Sequence, residues 1–244
     1  MSGHSKWKNI EHRKGRQDAS RGQLFTRLCR DVYVAAKRKG ANPDVNYALK
    51  VALDRARAAS VPSDTLARTL AKATGTLPGV VFEDFMYEGY GPAGIAILLR
   101  MSSDNRNRTA AEVRHLFSRA GGSLGEAGCV LWMFKRTGVI EVPRAGMAQD
   151  DDAITLLALE CDVDDMESGP DAHTLYVDPE RLTEVEQALE AAGANPTRVN
   201  VDYLPTTSTS VPAQDEERVL DLLGALEERD DVEAVYTNAE FAEA

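Results

Sequence analysis

Apolar residues recur every three or four positions between residues 23 and 75, and this spacing predicts three short helices. The first begins at Gln23 and ends before Gly40, and the second spans about residues 45–59. The third follows Pro62, with Ser63 or Asp64 as the expected N-cap. Three helices with one apolar stripe each predict a small helical domain.

The pattern then changes to strands, with one helix among them. Strands are predicted at 83–91 and 93–104, joined by a Gly-Pro turn, followed by a helix at 109–122 and a strand at 128–134. This set lacks a second helix and a closing strand. It therefore does not describe a complete two-layer domain.

The segment from residue 138 to residue 205 predicts the order β-α-β-β-α-β, which is that of the ferredoxin-like motif. Its strands are expected at 138–143, 163–169, 173–178 and 197–205, and its helices at 150–160 and 181–193. After a linker at 206–210, one helix (216–229) and one strand (232–239) remain. These two elements cannot bury their apolar faces alone, so we expect them to return and complete the sheet of the preceding segment.

The predicted fold class is therefore multi-domain α+β. An N-terminal three-helix domain precedes two α/β domains of ferredoxin-like type, the third inserted in the second. The expected divisions are a flexible basic arm at 1–22, a helical domain at 23–78, a discontinuous α+β domain at 79–135 plus 206–244, and an inserted ferredoxin-like domain at 136–205.

The charge distribution separates these segments further. The net charge of −11 combines +10 for residues 1–75, +1 for residues 76–138 and −22 for residues 139–244. A basic segment with an interspersed indole is typical of nucleic-acid binding, because Lys and Arg release counterions from phosphates. Two alternatives remain open: the basic segment could dock on the acidic half of the same chain, or it could be merely solvated. The acidic half could in turn meet a basic partner such as a ribosomal protein.

Other chemistry is poorly supported by the sequence. We expect no membrane segment, no secretory signal, no metal site and no cofactor, and the three scattered cysteines indicate a cytoplasmic protein. The GGSLG string around Ser123 matches a hydrolase nucleophile motif. It stands between a helix and a strand, the reverse of the order that motif needs. The prediction is therefore a protein without catalytic residues.

The candidate nucleic-acid-binding residues lie in three groups. The arm contributes Lys6, Trp7, Lys8, Arg13, Lys14, Arg16 and Arg21, and the first helix contributes Arg27, Arg30, Lys37 and Arg38. The third group is the DNRNRTAAEVRH stretch with Arg106, Arg108 and Arg114, where a helix N-terminus favours an anion. An equally open alternative is that these arginines pair with Glu112 or cap neighbouring carbonyls.

These strings together resemble the YebC/PmpR family. The resemblance rests on GHSKWKNIEHRKGRQDASRG, YEGYGPAG, DNRNRTAAEVRHLFSRAGGSLGEAG and VLWMF, and extends over essentially the whole chain. It adds His12 to the basic signature and implies a helical domain followed by two α/β domains, one inserted in the other. It also implies no enzymatic activity, and a role in regulating transcription or ribosome-associated translation.

We accordingly predict a regulator of gene expression that binds nucleic acid through its arm and helical domain. A ribosome-associated translation factor that contacts rRNA and helps stalled translation is the first hypothesis. The alternative is a DNA-binding transcriptional regulator at promoters. No helix shows a clear groove-reading design, and a strongly acidic half is awkward against naked DNA.

Overall fold

The computed structural model describes residues 21–76, 83–144 and 151–241. Three helices open this part of the chain: α1 (Arg21–Lys39), α2 (Tyr47–Ala58) and α3 (Ser63–Ala73). Each helix buries apolar side chains, among them Val32, Leu49 and Leu66, whereas Leu24 near the start of α1 is exposed. The predicted N-cap of α3 is wrong, since Pro62 occupies that position and no side chain caps the helix.

Asn46 fixes the connection between α1 and α2. Its Oδ1 accepts the backbone N–H of Leu49 at 3.0 Å and so caps α2. Its amide nitrogen donates to the carbonyl oxygens of Ala35 and Gly40, both at 2.9 Å. One side chain, 1% exposed, therefore satisfies backbone groups at the end of one helix and at the start of the next.

The remaining elements, in chain order, are β1 (Glu83–Tyr90), β2 (Ala96–Ser103), α4 (Arg106–Arg119), β3 (Ser123–Leu124), β4 (Phe134–Pro143), α5 (Asp151–Glu160), β5 (Asp165–Ser168), β6 (Ala172–Val177), α6 (Leu182–Ala191), β7 (Arg198–Pro205), β8 (Thr209–Val211), α7 (Ala213–Glu227), β9 (Val232–Thr237) and β10 (Ala239–Phe241). The multi-domain α+β class is confirmed. None of the helices in the described ranges is both long enough and apolar enough to cross a membrane.

The first four-stranded sheet has the order β3-β1-β2-β9, with β1–β2 and β2–β9 antiparallel. Its core combines β2 with α4 and α7, through residues such as Leu99, Phe117 and Leu223. The C-terminal helix and strand therefore do return to this sheet, because α7 and β9 bury their apolar faces on it. A short parallel pair, β10-β8, lies at the end of the same stretch of chain.

The second four-stranded sheet has the order β5-β6-β4-β7. Together with α5 and α6, this is the ferredoxin-like arrangement that the β-α-β-β-α-β order predicted. Ile140, Leu175 and Val199 of the sheet share a core with Ile154 of α5 and Leu189 of α6. The first sheet differs in connectivity, since two consecutive strands precede its first helix.

The predicted strand at 128–134 is wrong, and the predicted linker contains a strand. Residues Leu131–Met133 form a 3₁₀ turn, and β4 begins only at Phe134. The N–H groups of Gly128, Val130 and Leu131 bond to the buried Glu88 carboxylate, so they cannot form a ladder. The β8 strand occupies Thr209–Val211, within and just after the predicted linker.

Two compact units divide the described chain. The first draws on residues within Met1–Arg30, Gly75–Lys135 and Leu204–Ala244, and the second on Asp31–Thr74 and Arg136–Tyr203. Within the first unit, Thr206 donates its backbone N–H (2.8 Å) and its hydroxyl (2.9 Å) to the Met133 carbonyl oxygen. The chain therefore leaves the first sheet and rejoins it at adjacent points. The four predicted domain bounds stay a prediction.

Candidate nucleic-acid interface

A buried hydrogen-bond network shapes the turn between β2 and α4. Thr109, fully buried, donates to or accepts from Ser103 Oγ at 2.7 Å and bonds to Asp231 Oδ2 at 2.8 Å. Asn105 caps α4 by accepting the Arg108 N–H at 3.1 Å. The helix therefore begins at Arg106, three residues before the predicted start, and the residues ahead of Thr109 lie on the surface.

The three central candidates are all exposed on α4, but they differ in their partners. The Arg106 guanidinium lies over the Phe85 ring, 4.6 Å from its centroid. Arg108 pairs at 2.7 Å with Asp104, which lies just before the helix. The alternative pairing of these arginines with Glu112 is wrong, because Glu112 forms its ion pair with Arg229.

The outer face of α4 extends this basic surface. Arg114, His115 and Arg119 are exposed, whereas Val113 and Phe117 face the core. The first turn of α4 contains two arginines and no acidic residue. Because the helix dipole is positive at that end, a cation there is stabilised by a nearby anion, and Asp104 supplies one for Arg108. We define Arg106, Arg114, His115 and Arg119 as the α4 cationic face. The sequence analysis selected Arg106 and Arg114 for binding but missed Arg119. The available signal was its spacing of four residues, one helical turn, from His115.

The candidates on α1 that the structure describes are engaged by neighbouring groups. Arg30 donates to the Glu227 carbonyl oxygen. The Lys37 ammonium is exposed and lies 5.1 Å from the centroid of the Tyr33 ring, which Lys72 also approaches at 5.5 Å.

Arg38 makes the strongest of these contacts. Its two terminal nitrogens donate to Glu186 Oε1 and Oε2 of α6 at 2.7 and 2.5 Å. Lys39 adds bonds to Glu186 at 2.9 Å and to Glu190 at 3.0 Å. We call this group the Arg38–Glu186 clasp. Sequence reasoning missed it because the partners are 148 residues apart.

The clasp holds Glu186 ionised. Burial by itself raises the pKa of Glu186, but hydrogen bonds from Arg38 and Lys39 outweigh burial and hold it below the ordinary value. The same bonds raise the pKa of Lys39 against the opposing effect of burial. Arg38 is therefore part of the internal structure of the second unit.

Other predicted residues cannot be placed in this way. The candidates Lys6, Trp7, Lys8, His12, Arg13, Lys14 and Arg16 lie outside the described residues. Arg21 and Arg27 lie on α1, where the structure gives the helix but not these two side chains. Ser123 forms β3 directly after α4, in the helix-to-strand order expected from the sequence.

Fold and surface together define a class: an α+β protein with basic N-terminal helices, two four-stranded sheets and an acidic ferredoxin-like segment. Two family models match the chain, the TACO1/YebC N-terminal domain over residues 5–76 and the TACO1/YebC second and third domain over residues 82–239. The chain belongs to the TACO1/YebC family, which confirms the resemblance found in the sequence.

Individual relatives agree with this assignment. The chain is 46% identical to a probable transcriptional regulatory protein of Pelotomaculum thermopropionicum, over 99% of both chains. It is 43% identical to one of Symbiobacterium thermophilum, over 98% of this chain and 99% of the relative. The crystal structure of a conserved hypothetical protein from Aquifex aeolicus matches with a TM-score of 0.70 at 38% identity, over 93% of each chain.

Proposed function

We propose that this protein is a non-enzymatic, nucleic-acid-binding regulator of gene expression that acts on the ribosome, contacts RNA through its basic N-terminal region and helps stalled translation. The observation that carries the proposal is the α4 cationic face. It presents three arginines and a histidine to solvent along one helix, Arg106 at its N-terminus and the others along its outer side, and Val113 and Phe117 anchor that helix in the core. Such an array is suited to binding phosphates, because exposed arginines on a rigid element can contact the phosphate oxygens.

The acidic part of the chain favours the ribosome over naked DNA. Helices α5 and α6 contain no Lys or Arg, and both carry acidic residues. A duplex would repel that surface, whereas a ribosome offers basic proteins beside its RNA. The same segment is the proposed contact for ribosomal proteins, and a cytoplasmic location is part of the proposal.

The names of the relatives favour a second candidate. Proteins 42–46% identical to this chain are named probable transcriptional regulatory proteins, so promoter DNA is the alternative ligand. In that case the same cations would contact a duplex. Salt dependence would be shared by both ligands, and only the identity of the partner would differ.

Co-sedimentation with ribosomes at about 50 and 200 mM salt tests the proposal. If binding uses six phosphate contacts, raising the salt concentration over this range lowers the affinity roughly a thousandfold. We expect co-migration at the lower salt concentration and release at the higher one. The arm variant with Lys6, Lys8, Arg13 and Lys14 changed to Ala is expected to lose the low-salt co-migration.

A second variant tests the described surface. Changing Arg106, Arg114 and Arg119 to Ala together should weaken binding and reduce the salt slope by up to about three, one for each lost phosphate contact. The matched control is Arg181→Ala, a surface arginine on the acidic segment that pairs with Glu184. No co-migration of the unaltered protein at either salt concentration, combined with binding to a DNA duplex, would favour the transcriptional alternative.

A further inference from the structure

Two leucines of α5 face away from the core of the second unit. Leu156 and Leu159 are 59% and 73% exposed, whereas Ile154 and Ala158 of the same helix are buried in the core of the second sheet. The exposed leucines are three residues apart, so they are neighbours on the outer side of the helix. Adjacent exposed apolar side chains, unlike isolated ones, mark a candidate interaction surface.

Acidic residues flank this pair on the same side of the helix. Asp152 precedes Leu156 by four residues and Glu160 follows it by four, which is about one helical turn in each direction. Both carboxylates are exposed, and neither forms an ion pair with another residue in the described ranges. We call Asp152, Leu156, Leu159 and Glu160 the α5 outer face. It has an apolar centre between two negative charges.

The C-terminal end of α5 is also electronegative. Its last turn contains no basic residue, and the terminal carbonyl groups carry the negative end of the helix dipole. Burial raises the pKa of the Cys161 thiol, and the nearby Glu160 and Glu184 raise it further. The cation near this thiol is Arg181, which pairs with Glu184 at 3.1 Å and lies 3.7 Å from Asp162. Carboxylates therefore outnumber cations at this end of the helix.

These features select the class of occupant. The flanking carboxylates would repel an RNA backbone or an anionic lipid surface. A second copy of this chain that bound through the same face by two-fold symmetry would bring like charges together. Two leucines also fall far short of the roughly 800 Å² that each partner contributes to a stable interface. A short protein segment with Lys or Arg around apolar residues matches both the charge and the apolar centre.

We infer that the α5 outer face docks a basic amphipathic protein segment. Apolar side chains of that segment cover Leu156 and Leu159, and its Lys or Arg side chains lie beside the flanking carboxylates. Amphipathic helices bind in this way, with apolar anchors three or four residues apart. The inference rests on the proposed function and deepens it, because it specifies the chemistry of the protein partner proposed for the acidic segment.

Two fluorescein-labelled peptides test this surface. One consists of two heptads of Leu and Lys in an amphipathic helical pattern, and the other has Ala at every Leu position and therefore the same charge. Each peptide is titrated with the full-length protein at about 50 and 200 mM salt, and binding is followed by anisotropy. We expect the Leu peptide to bind at least about tenfold more tightly than the Ala peptide.

Variants of the α5 outer face separate its apolar and charged parts. Leu156→Ser combined with Leu159→Ser should weaken binding of the Leu peptide roughly 10- to 100-fold and leave the Ala peptide unaffected, because two apolar anchors are lost. Asp152→Asn combined with Glu160→Gln should weaken binding of both peptides and reduce the salt dependence. Thermal melts check that these exposed substitutions leave the fold intact.

The matched control for charge lies on α7. Glu217 and Asp221 are exposed carboxylates four residues apart on that helix. Glu217→Gln combined with Asp221→Asn removes the same charge as the α5 charge variant and should bind both peptides as the unaltered protein does. Equal weakening by the α7 and α5 charge variants would show that the peptides respond only to net charge, which overturns the inference.

RNA and ribosome measurements separate this inference from the proposed function. The double serine variant should keep its affinity for a labelled oligouridylate at about 50 mM salt and co-sediment less with ribosomes. Lost oligouridylate affinity in that variant, or a dimer of the unaltered protein that the variant does not form, identifies RNA or a second copy as the occupant and overturns the inference. Unchanged binding of the Leu peptide by the double serine variant overturns it as well. If the unaltered protein binds the Leu peptide but no ribosomes at either salt concentration, the proposed function fails and the docking surface stands.

Discussion

Replacing Glu186 with Gln separates a structural role of Arg38 from a binding role. The substitution keeps the size of the side chain but removes the charge that holds Arg38 and Lys39. Glu186 is 4% exposed, whereas the Arg38 and Lys39 side chains are 24% and 34% exposed. Breaking a fully buried pair costs about 3–5 kcal/mol. Because both cations can turn towards water, we expect a smaller loss of about 1–3 kcal/mol.

Urea unfolding at pH 7, followed by circular dichroism, measures this loss. The matched control is Glu190→Gln, which removes a 42% exposed carboxylate that contacts only Lys39 within the clasp. An exposed pair of this kind contributes about 0–1 kcal/mol. If Glu186→Gln destabilises the protein no more than Glu190→Gln, the reasoning about the clasp is refuted.

The pH dependence of the clasp has a defined sign. Because the pKa of Glu186 is lowered in the folded protein, its contribution to stability is complete above the ordinary value of 4.5. It is lost as the pH falls below 4.5 and through the folded-state pKa. The stability difference between the unaltered protein and Glu186→Gln should therefore shrink in that acidic window, and a constant difference would contradict the assignment.

The same clasp makes a prediction about nucleic-acid binding. Arg38→Ala should lower stability while leaving the salt slope of binding unchanged, because Glu186 already occupies the guanidinium. A slope lower by about one would show that Arg38 contacts a phosphate.

Three further substitutions follow from the described contacts. Glu88→Gln should speed hydrogen exchange at the three backbone N–H groups that donate to this carboxylate. Equal protection of these groups in both proteins would contradict the role of Glu88 in the loop. Thr109→Val keeps the shape but leaves Asp231 without its buried partner, which should cost about 1–3 kcal/mol in urea unfolding. Ser123→Ala should change neither stability nor binding. An activity lost in this variant would instead support Ser123 as a hydrolase nucleophile.

The sequence determined most of the local structure. Apolar spacing placed all seven described helices and the order of the ferredoxin-like segment, because helix and strand periodicity reflect which face of each element is buried. It also revealed the separation of basic and acidic segments and the family. The sequence predictions failed where a local preference conflicted with a contact from a distant residue. Residues 128–134 have strand-forming side chains, yet Glu88, forty residues away, bonds to their backbone and turns it.

Only the tertiary structure decided which charges are free to meet a ligand. Arg38 and Arg106 look alike in the sequence, but a glutamate 148 residues away engages the first, while the second lies exposed against Phe85. Likewise Trp132 lies in the apolar segment 128–134, whose pattern predicts a strand, but the fold leaves its side chain 68% exposed. Periodicity reports the burial of a face averaged over an element. The partner of a single side chain depends on contacts between distant segments, which exist only once the chain has folded.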